Sequence, residues 1–182
     1  RVLFRSIPNK RPDDLIRFFH AYKTLFNPRS RLILAGWFGG LDQYVSGLHR
    51  LVAELGVTDV HLLGQVTNEE LGALYECADV FLCASEHEGF CVPLLEAMAA
   101  DVPVLAYAST AVPETLGGAG VQFARKDMEF AAEMLGALAF DDRLRQDVLA
   151  GQRRRLADFG PARTARDLAT LIGYRGGPYP VQ

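Results

Sequence analysis

An excess of positive charge is the first thing this sequence lacks. Its 19 Lys and Arg stand against 22 Asp and Glu, a net charge of −3 over 182 residues. With a pI near 5.8, composition does not supply the cationic face that phosphate contacts to DNA or RNA require, so nucleic acid is not expected as a partner. Long apolar runs are missing too. No stretch approaches the roughly 20 residues of a membrane-spanning helix, and the opening residues RVLFRSIPNKR lack the apolar segment of a signal peptide. Cysteine is scarce: Cys77, Cys83 and Cys91 are odd in number and follow no metal-ligand spacing, which fits a reducing compartment better than a disulfide framework. These absences point to a soluble, cytoplasmic chain without membrane contact. The sequence also opens inside an apolar run with no initiator Met, as a piece of something longer would.

What is present is enough apolar residue, 49%, for one full core but not two. Six short runs are apolar on both faces, at Val2–Phe4, Leu32–Ala35, Val60–Leu63, Val80–Cys83, Val104–Ala106 and Val121–Phe123. Strands buried on both faces predict a parallel sheet covered by helices. Helical patterns lie between them. Pro12-Asp13-Asp14 opens one toward Phe26, another runs from about Asp42 to Glu54, and Thr67-Asn68-Glu69-Glu70 has capping-box form and opens one toward Cys77. A further helix begins at Pro93 and ends near Ala100, while Ser109-Thr110 is placed to cap a short one through Pro113 and Glu114. After Asp127 the strand pattern stops, and Met128–Phe140, Arg143–Arg155 and Arg163–Tyr174 read as successive helices. The expected architecture is an α/β, Rossmann-like, doubly wound parallel sheet of about six strands with helices on both faces, a core over 1–124 and a helical end over 125–182. No internal repeat interrupts it.

Ligands of such sheets bind at the carboxyl ends of the strands, which directs attention to the loops after Phe4, Ala35, Leu63, Cys83 and Ala106. The fourth of these reads SEHEGFCVPLLEAMA over 85–99. Gly89 permits tight backbone turns, and Pro93 starts a helix whose free amides point back into the loop, a ready anion site. Glu88 in the loop and Glu96 about one turn into the helix add two carboxylates, which accept hydrogen bonds from hydroxyls. A nucleotide carrying a sugar offers both kinds of group. Taken alone, a loop Glu and a helical Glu are ordinary solvated charges; the residues around them carry the signal. His87 reads as a neighbour that shapes the loop, and Cys91 as a nucleophile would need a paired base that the sequence does not place. The arginines of 143–155 alternate with acids, as a salt-laced helix surface does.

Glu88 to Glu96, two glutamates separated by seven residues within E-G-F-x-x-P-x-x-E-A-M-A, resembles the signature of the retaining GT-B glycosyltransferases of group 1, or family 4. Arg5 and Lys10 resemble that family's G-R-x-x-x-x-K-G segment, and Leu63-Gly64-Gln65-Val66 with Asn68-Glu69-Glu70-Leu71 its third-strand loop and following helix. Val104-Leu105-Ala106 and Pro113-Glu114 match its P-V-I-A and P-E segments. The sequence departs from the pattern at glycines: Phe4 stands before Arg5, Arg11 after Lys10, Cys91 after E-G-F, and the Asp101-Val102 region before P-V.

The resemblance implies the C-terminal, nucleotide-sugar-binding half of a hexosyltransferase, inactive alone, whose absent N-terminal half would bring the acceptor site. Arg5 and Lys10 would bind the donor diphosphate and stabilise the charge that grows on it. The backbone at Gly89, Phe90, Cys91 and Val92 would hold the distal phosphate and sugar, Glu88 the sugar hydroxyls and Glu96 the ribose. Val66 and Asn68 would border the base. Arg5, Lys10 and Glu88 are thus the expected catalytic set, the donor a UDP-, GDP- or ADP-sugar, and no metal or other cofactor is expected, in keeping with the lack of an Asp-x-Asp pair or clustered His. Two other readings share the fold or the site: a GT-B relative such as a sugar-nucleotide epimerase or a glycogen or sucrose synthase, and a non-catalytic nucleotide-binding or interaction domain.

Overall fold

The computed structural model describes residues 2–5, 8–36 and 39–160; the helix expected over Arg163–Tyr174 lies outside the described residues. Six strands form one parallel sheet, β1 (Val2–Arg5), β2 (Leu32–Ala35), β3 (Val60–Gly64), β4 (Val80–Cys83), β5 (Val104–Tyr107) and β6 (Val121–Phe123), in the order β3-β2-β1-β4-β5-β6. Seven α-helices connect or follow them among the described residues: α1 (Pro12–Leu25), α2 (Asp42–Leu55), α3 (Asn68–Glu76), α4 (Val92–Ala99), α5 (Val112–Leu116), α6 (Met128–Phe140) and α7 (Asp142–Leu156). The doubly wound architecture and each strand are as the sequence predicts.

The order has a functional consequence. From β1 the chain winds outward through β2 to β3, then returns to place β4 on the other side of β1. Crossovers leave β1 and β4 in opposite directions, so a crevice opens between the loops at their carboxyl ends. Those are the loops that carry Lys10 and Glu88.

Burial follows position in the sheet. Every residue of β4 is buried, whereas β3, at the edge, alternates half-buried and exposed residues. The expectation that all six strands are buried on both faces therefore fails at β3, because an edge strand has helix cover on less of its surface. The core joins Leu15, Phe18 and Phe19 of α1 to Phe81 of β4, Leu94 of α4 and Leu105 of β5, each 1% exposed or less. α6 packs along α1, and Phe18 meets Phe123 edge-on with centroids 5.5 Å apart.

The capping box at α3 forms as predicted, with the Glu70 amide donating to Thr67 Oγ1 at 3.2 Å and the Thr67 amide to Glu70 Oε2 at 2.7 Å. The cap expected from Ser109 and Thr110 does not form. α5 starts after Ala111 without a side-chain cap, because both hydroxyls bind the β4 loop instead, as described below. α4 begins at Val92, one residue before Pro93.

The helical end is bound to the sheet by a side chain the sequence does not advertise. Gln152 of α7, fully buried, accepts from the Val104 amide at 2.8 Å and donates to the Val102 carbonyl at 2.9 Å. An isosteric apolar residue would leave both backbone groups buried without partners, at about 1–3 kcal/mol each. Gln152→Leu is expected to lower the unfolding free energy by about 2–4 kcal/mol in urea titrations; a change below about 0.5 kcal/mol would show that water replaces the amide.

Candidate functional site

The loops after β1 and β4 are zipped together. The Glu86 amide donates to the Asn9 carbonyl at 3.2 Å, and Asn9 Nδ2 donates to the His87 carbonyl at 3.2 Å. Lys10 Nζ pairs directly with Glu88 Oε1, with side chains only 12% and 6% exposed. Two residues 78 apart in sequence thus share one shielded contact, and these are two of the three expected catalytic residues. The third, Arg5, ends β1 beside Ala35; its side chain lies outside the described residues.

A second set of charges frames this pair. Arg11 reaches Glu86 at 2.9 Å and Asp13 at 2.8 Å, and Lys126 bridges Asp14 at 2.6 Å and Glu86 at 2.8 Å. The Asp13 hydrogen bond raises the Arg11 guanidinium further above its ordinary value. Lys126, and then Arg11, hold the Glu86 carboxyl below its own. The network ties the β4 loop to the first turn of α1, and Asn9, Glu86 and Lys126 were not legible as site residues because the ties cross up to 112 positions of sequence.

Glu88 is gripped at its backbone as well. Thr110 Oγ1 accepts from the Glu88 amide at 2.9 Å and donates to the Glu88 carbonyl at 3.1 Å, while Ser109 Oγ donates to the Ser85 carbonyl. One turn onward, Thr115 donates to the Phe90 carbonyl, and Arg155 of α7 holds α5 through the carbonyls of Thr115 and Glu114. The β4 loop is therefore fixed from both sides, as a site that must be preorganised requires.

Among the other expected residues, Glu96 is half-buried and accepts from Tyr75 Oη of α3 at 3.0 Å. Gly89, Phe90 and Val92 are exposed at the mouth, with Phe90 edge-on to Phe159 at 5.6 Å. Val66 is half-buried and Asn68 exposed at the start of α3. The described contact that ties α3 to the site is made by Tyr75.

The departures from the glycine pattern have a common geometry. Arg11, Cys91 and Asp101 all take left-handed backbone, with φ of 54°, 63° and 54°. Glycine adopts that conformation freely, whereas another residue there costs about 1–3 kcal/mol unless its surroundings enforce it. Phe4, paired with Leu34 inside β1, carries no such constraint. Arg11 and Cys91 are the N-cap residues of α1 and α4, and neither helix has a side-chain cap. Two helices of opposite sheet halves thus begin in the same crevice with their first amides not taken by a capping side chain, where negative charge is favoured.

Two of the three cysteines meet in the core. Cys83 and Cys91, both buried, bring their sulfurs to 4.0 Å. The shared hydrogen bond pulls the Cys83 thiol below its ordinary value, aided by Ser85 and opposed by burial. The same bond, with burial, pushes the Cys91 thiol up. Cys77 stands apart and exposed.

With this geometry in place, similarity to known proteins decides the family. Residues 3–153 match the family described as Glycosyl transferases group 1. The chain belongs to that family. Among curated relatives of the chain, a D-inositol 3-phosphate glycosyltransferase of Salinispora tropica is 33% identical across 93% of the chain and 36% of its own length. An O-antigen chain mannosyltransferase B of Escherichia coli is 34% identical across 74% and 35%. The chain thus spans about a third of these relatives. Of solved structures, the C-terminal domain of the group 1 protein LpcC of Francisella tularensis superposes with a TM-score of 0.72 at 23% identity, over 87% of this chain and 84% of that one. HepE of Anabaena, crystallised with UDP and glucose, gives 0.76 at 21% over 94% and 48%. These likenesses place the fold as a Rossmann-like half of the GT-B type.

If the left-handed backbone at Cys91 is the constraint that the site imposes, side chains should rank by their tolerance of it. Cys91→Gly is expected to change the unfolding free energy by less than about 1 kcal/mol, and the β-branched Cys91→Val to lower it by about 2 kcal/mol or more in the same urea titration. Equal costs for the two would contradict the assignment.

Proposed function

We propose that this chain is the donor-binding half of a retaining, family 4 hexosyltransferase and binds a nucleoside diphosphate sugar in the crevice between β1 and β4. The observation that carries the reading is the contact of Lys10 with Glu88 at that crevice, between the uncapped starts of α1 and α4. A diphosphate needs a cation and free amides, and a sugar needs a carboxylate that accepts from hydroxyls. One shielded pair presents both within a single residue's length. Glu96, steadied by Tyr75, takes the ribose hydroxyls, and Val66 and Asn68 border the base.

In the transfer, the bond from the sugar's anomeric carbon to the diphosphate breaks while the acceptor hydroxyl attaches on the same face and gives up its proton to the departing diphosphate oxygen. Negative charge grows on the departing diphosphate. Lys10, Arg5 and the amides from Gly89 to Val92 oppose that charge where it develops, which is the form of stabilisation that lowers barriers most. No resident metal is required in this scheme. The acceptor and the remaining machinery come from an N-terminal half, so this chain alone binds donor without transferring it, in the cytoplasm. The HepE complex with UDP and glucose and the mannosyl and inositol-phosphate relatives support a nucleotide-linked hexose as the donor.

Calorimetric titration in chelator-treated buffer with UDP, GDP and ADP, each with and without a hexose, tests the reading. One diphosphate is expected to bind in preference. Lys10→Ala is expected to weaken it by about 10–100-fold, and Glu88→Ala to remove the increment due to the sugar. Tyr75→Phe is expected to cost about fivefold for the nucleoside diphosphate and nothing for inorganic diphosphate. Absence of binding by the folded chain, or transfer to a hydroxyl acceptor by the chain alone, would sink the proposal.

A further inference from the structure

Three groups that can ligate a metal meet beneath the donor crevice. Cys83 Sγ, Cys91 Sγ and a carboxylate oxygen of Glu88 all lie within 4.8 Å of one another, and all three residues are buried. The sequence spacing hides this, because Cys83 ends β4 and Cys91 returns to it only through the left-handed turn that precedes α4. We propose that Cys83, Cys91 and Glu88 form a binding site for a thiophilic divalent cation such as Zn²⁺.

Distance supports the assignment. Two thiolates at the usual zinc–sulfur length of about 2.3 Å, arranged tetrahedrally, place their sulfurs about 3.8 Å apart, with sulfur and carboxylate oxygen about 3.6 Å apart. The Cys83 and Cys91 sulfurs are 4.0 Å apart, so an ion needs only small side-chain adjustments. A pair of buried thiols by itself is ordinary packing. The third ligand and the charge balance set this pair apart. With both thiols protonated, the Lys10–Glu88 pair is neutral. When Zn²⁺ enters, the two thiols release two protons, and two thiolates, one carboxylate, the cation and the Lys10 ammonium again sum to zero. A buried cluster that stays neutral in both states avoids the desolvation cost that isolated buried charge incurs. Glu88 has two carboxylate oxygens, so one can remain on Lys10 while the other ligates. Sulfur donors favour Zn²⁺, Co²⁺ or Cd²⁺ over Mg²⁺ and Ca²⁺, and three protein ligands leave a fourth position open.

Glu88 is shared, which links the ion to the donor. This link rests on the reading of Glu88 as the carboxylate for the donor sugar: with the ion bound, that carboxylate is engaged, and sugar-nucleotide affinity falls.

The test uses the reduced 182-residue chain under anaerobic conditions and Co²⁺ as the probe, read by its sulfur-to-cobalt charge-transfer and tetrahedral visible bands. One Co²⁺ per chain with both features is expected, displaced by equimolar Zn²⁺. Cys91→Ser and Cys83→Ser are each expected to weaken binding by about 100-fold or more, and Glu88→Gln by about 10–100-fold, given that even outer-shell changes cost about 10–100-fold. Cys77→Ser is expected to leave it unchanged. Absence of the charge-transfer band in the wild-type chain overturns the site whatever the variants do, and so does loss of the band in Cys77→Ser. The donor titration, repeated with one equivalent of Zn²⁺, separates the two readings. A cobalt spectrum without any donor binding contradicts the donor reading alone, and donor binding without a cobalt spectrum contradicts the cation site alone.

Discussion

The contact between Lys10 and Glu88 is the constraint on which the site depends. Two opposite charges lie almost out of water, at 12% and 6% exposure, where neither could remain alone without a cost of several kcal/mol. Each requires the other, so the loop after β1 and the loop after β4 must be built together. The surrounding ties follow from that demand. Asn9 bridges the loops by backbone and side chain, the Arg11–Glu86–Lys126–Asp14 ions lock them to α1, and Thr110 holds the Glu88 peptide from β5's side. A pair of this kind contributes less to net stability than to geometry, since an apolar pair of similar volume could pack as well. What it fixes is the position of a cation and a carboxylate relative to each other.

Backbone conformation is the second requirement, and it explains the departures from the glycine pattern. At Arg11 and Cys91 the chain must turn left-handed to begin a helix in the crevice. Glycine would meet that need without cost. Here the need is met by residues whose side chains find partners: Arg11 with Asp13, Asp14 and Glu86, and Cys91 with Cys83. Asp101, the third, pairs with Arg153 at 2.7 Å on the surface. Residues other than glycine thus hold left-handed backbone here and make side-chain contacts, one of which is the Cys83–Cys91 pair.

The layers of the fold were legible because each buried strand and amphipathic helix carries its own period and its own start signal. Pro12 and Thr67 announce helices through local chemistry, and the structure honours them. The misread features share another character. β3 departs from the expected burial because edge position is a property of the sheet and not of the segment. Ser109 and Thr110 have the form of a cap, yet tertiary partners outcompete the local amides. Of the candidate site, Lys10, Glu88 and Glu96 are singled out by motif resemblance, whereas Asn9, Tyr75, Thr110, Lys126 and the Cys83–Cys91 contact depend on segments that meet only in three dimensions. No local period encodes such meetings.

The central claim is that Lys10 and Glu88 act as one unit, and a double-mutant cycle on folding free energy measures that most directly. Urea unfolding of the wild type, Lys10→Met, Glu88→Gln and the double variant gives the coupling between the two side chains. A shielded pair predicts each single change to cost about 3 kcal/mol or more, with a coupling of at least about 2 kcal/mol, because the second substitution removes the stranded partner. Coupling below about 0.5 kcal/mol, the behaviour of an exposed ion pair, would contradict the account.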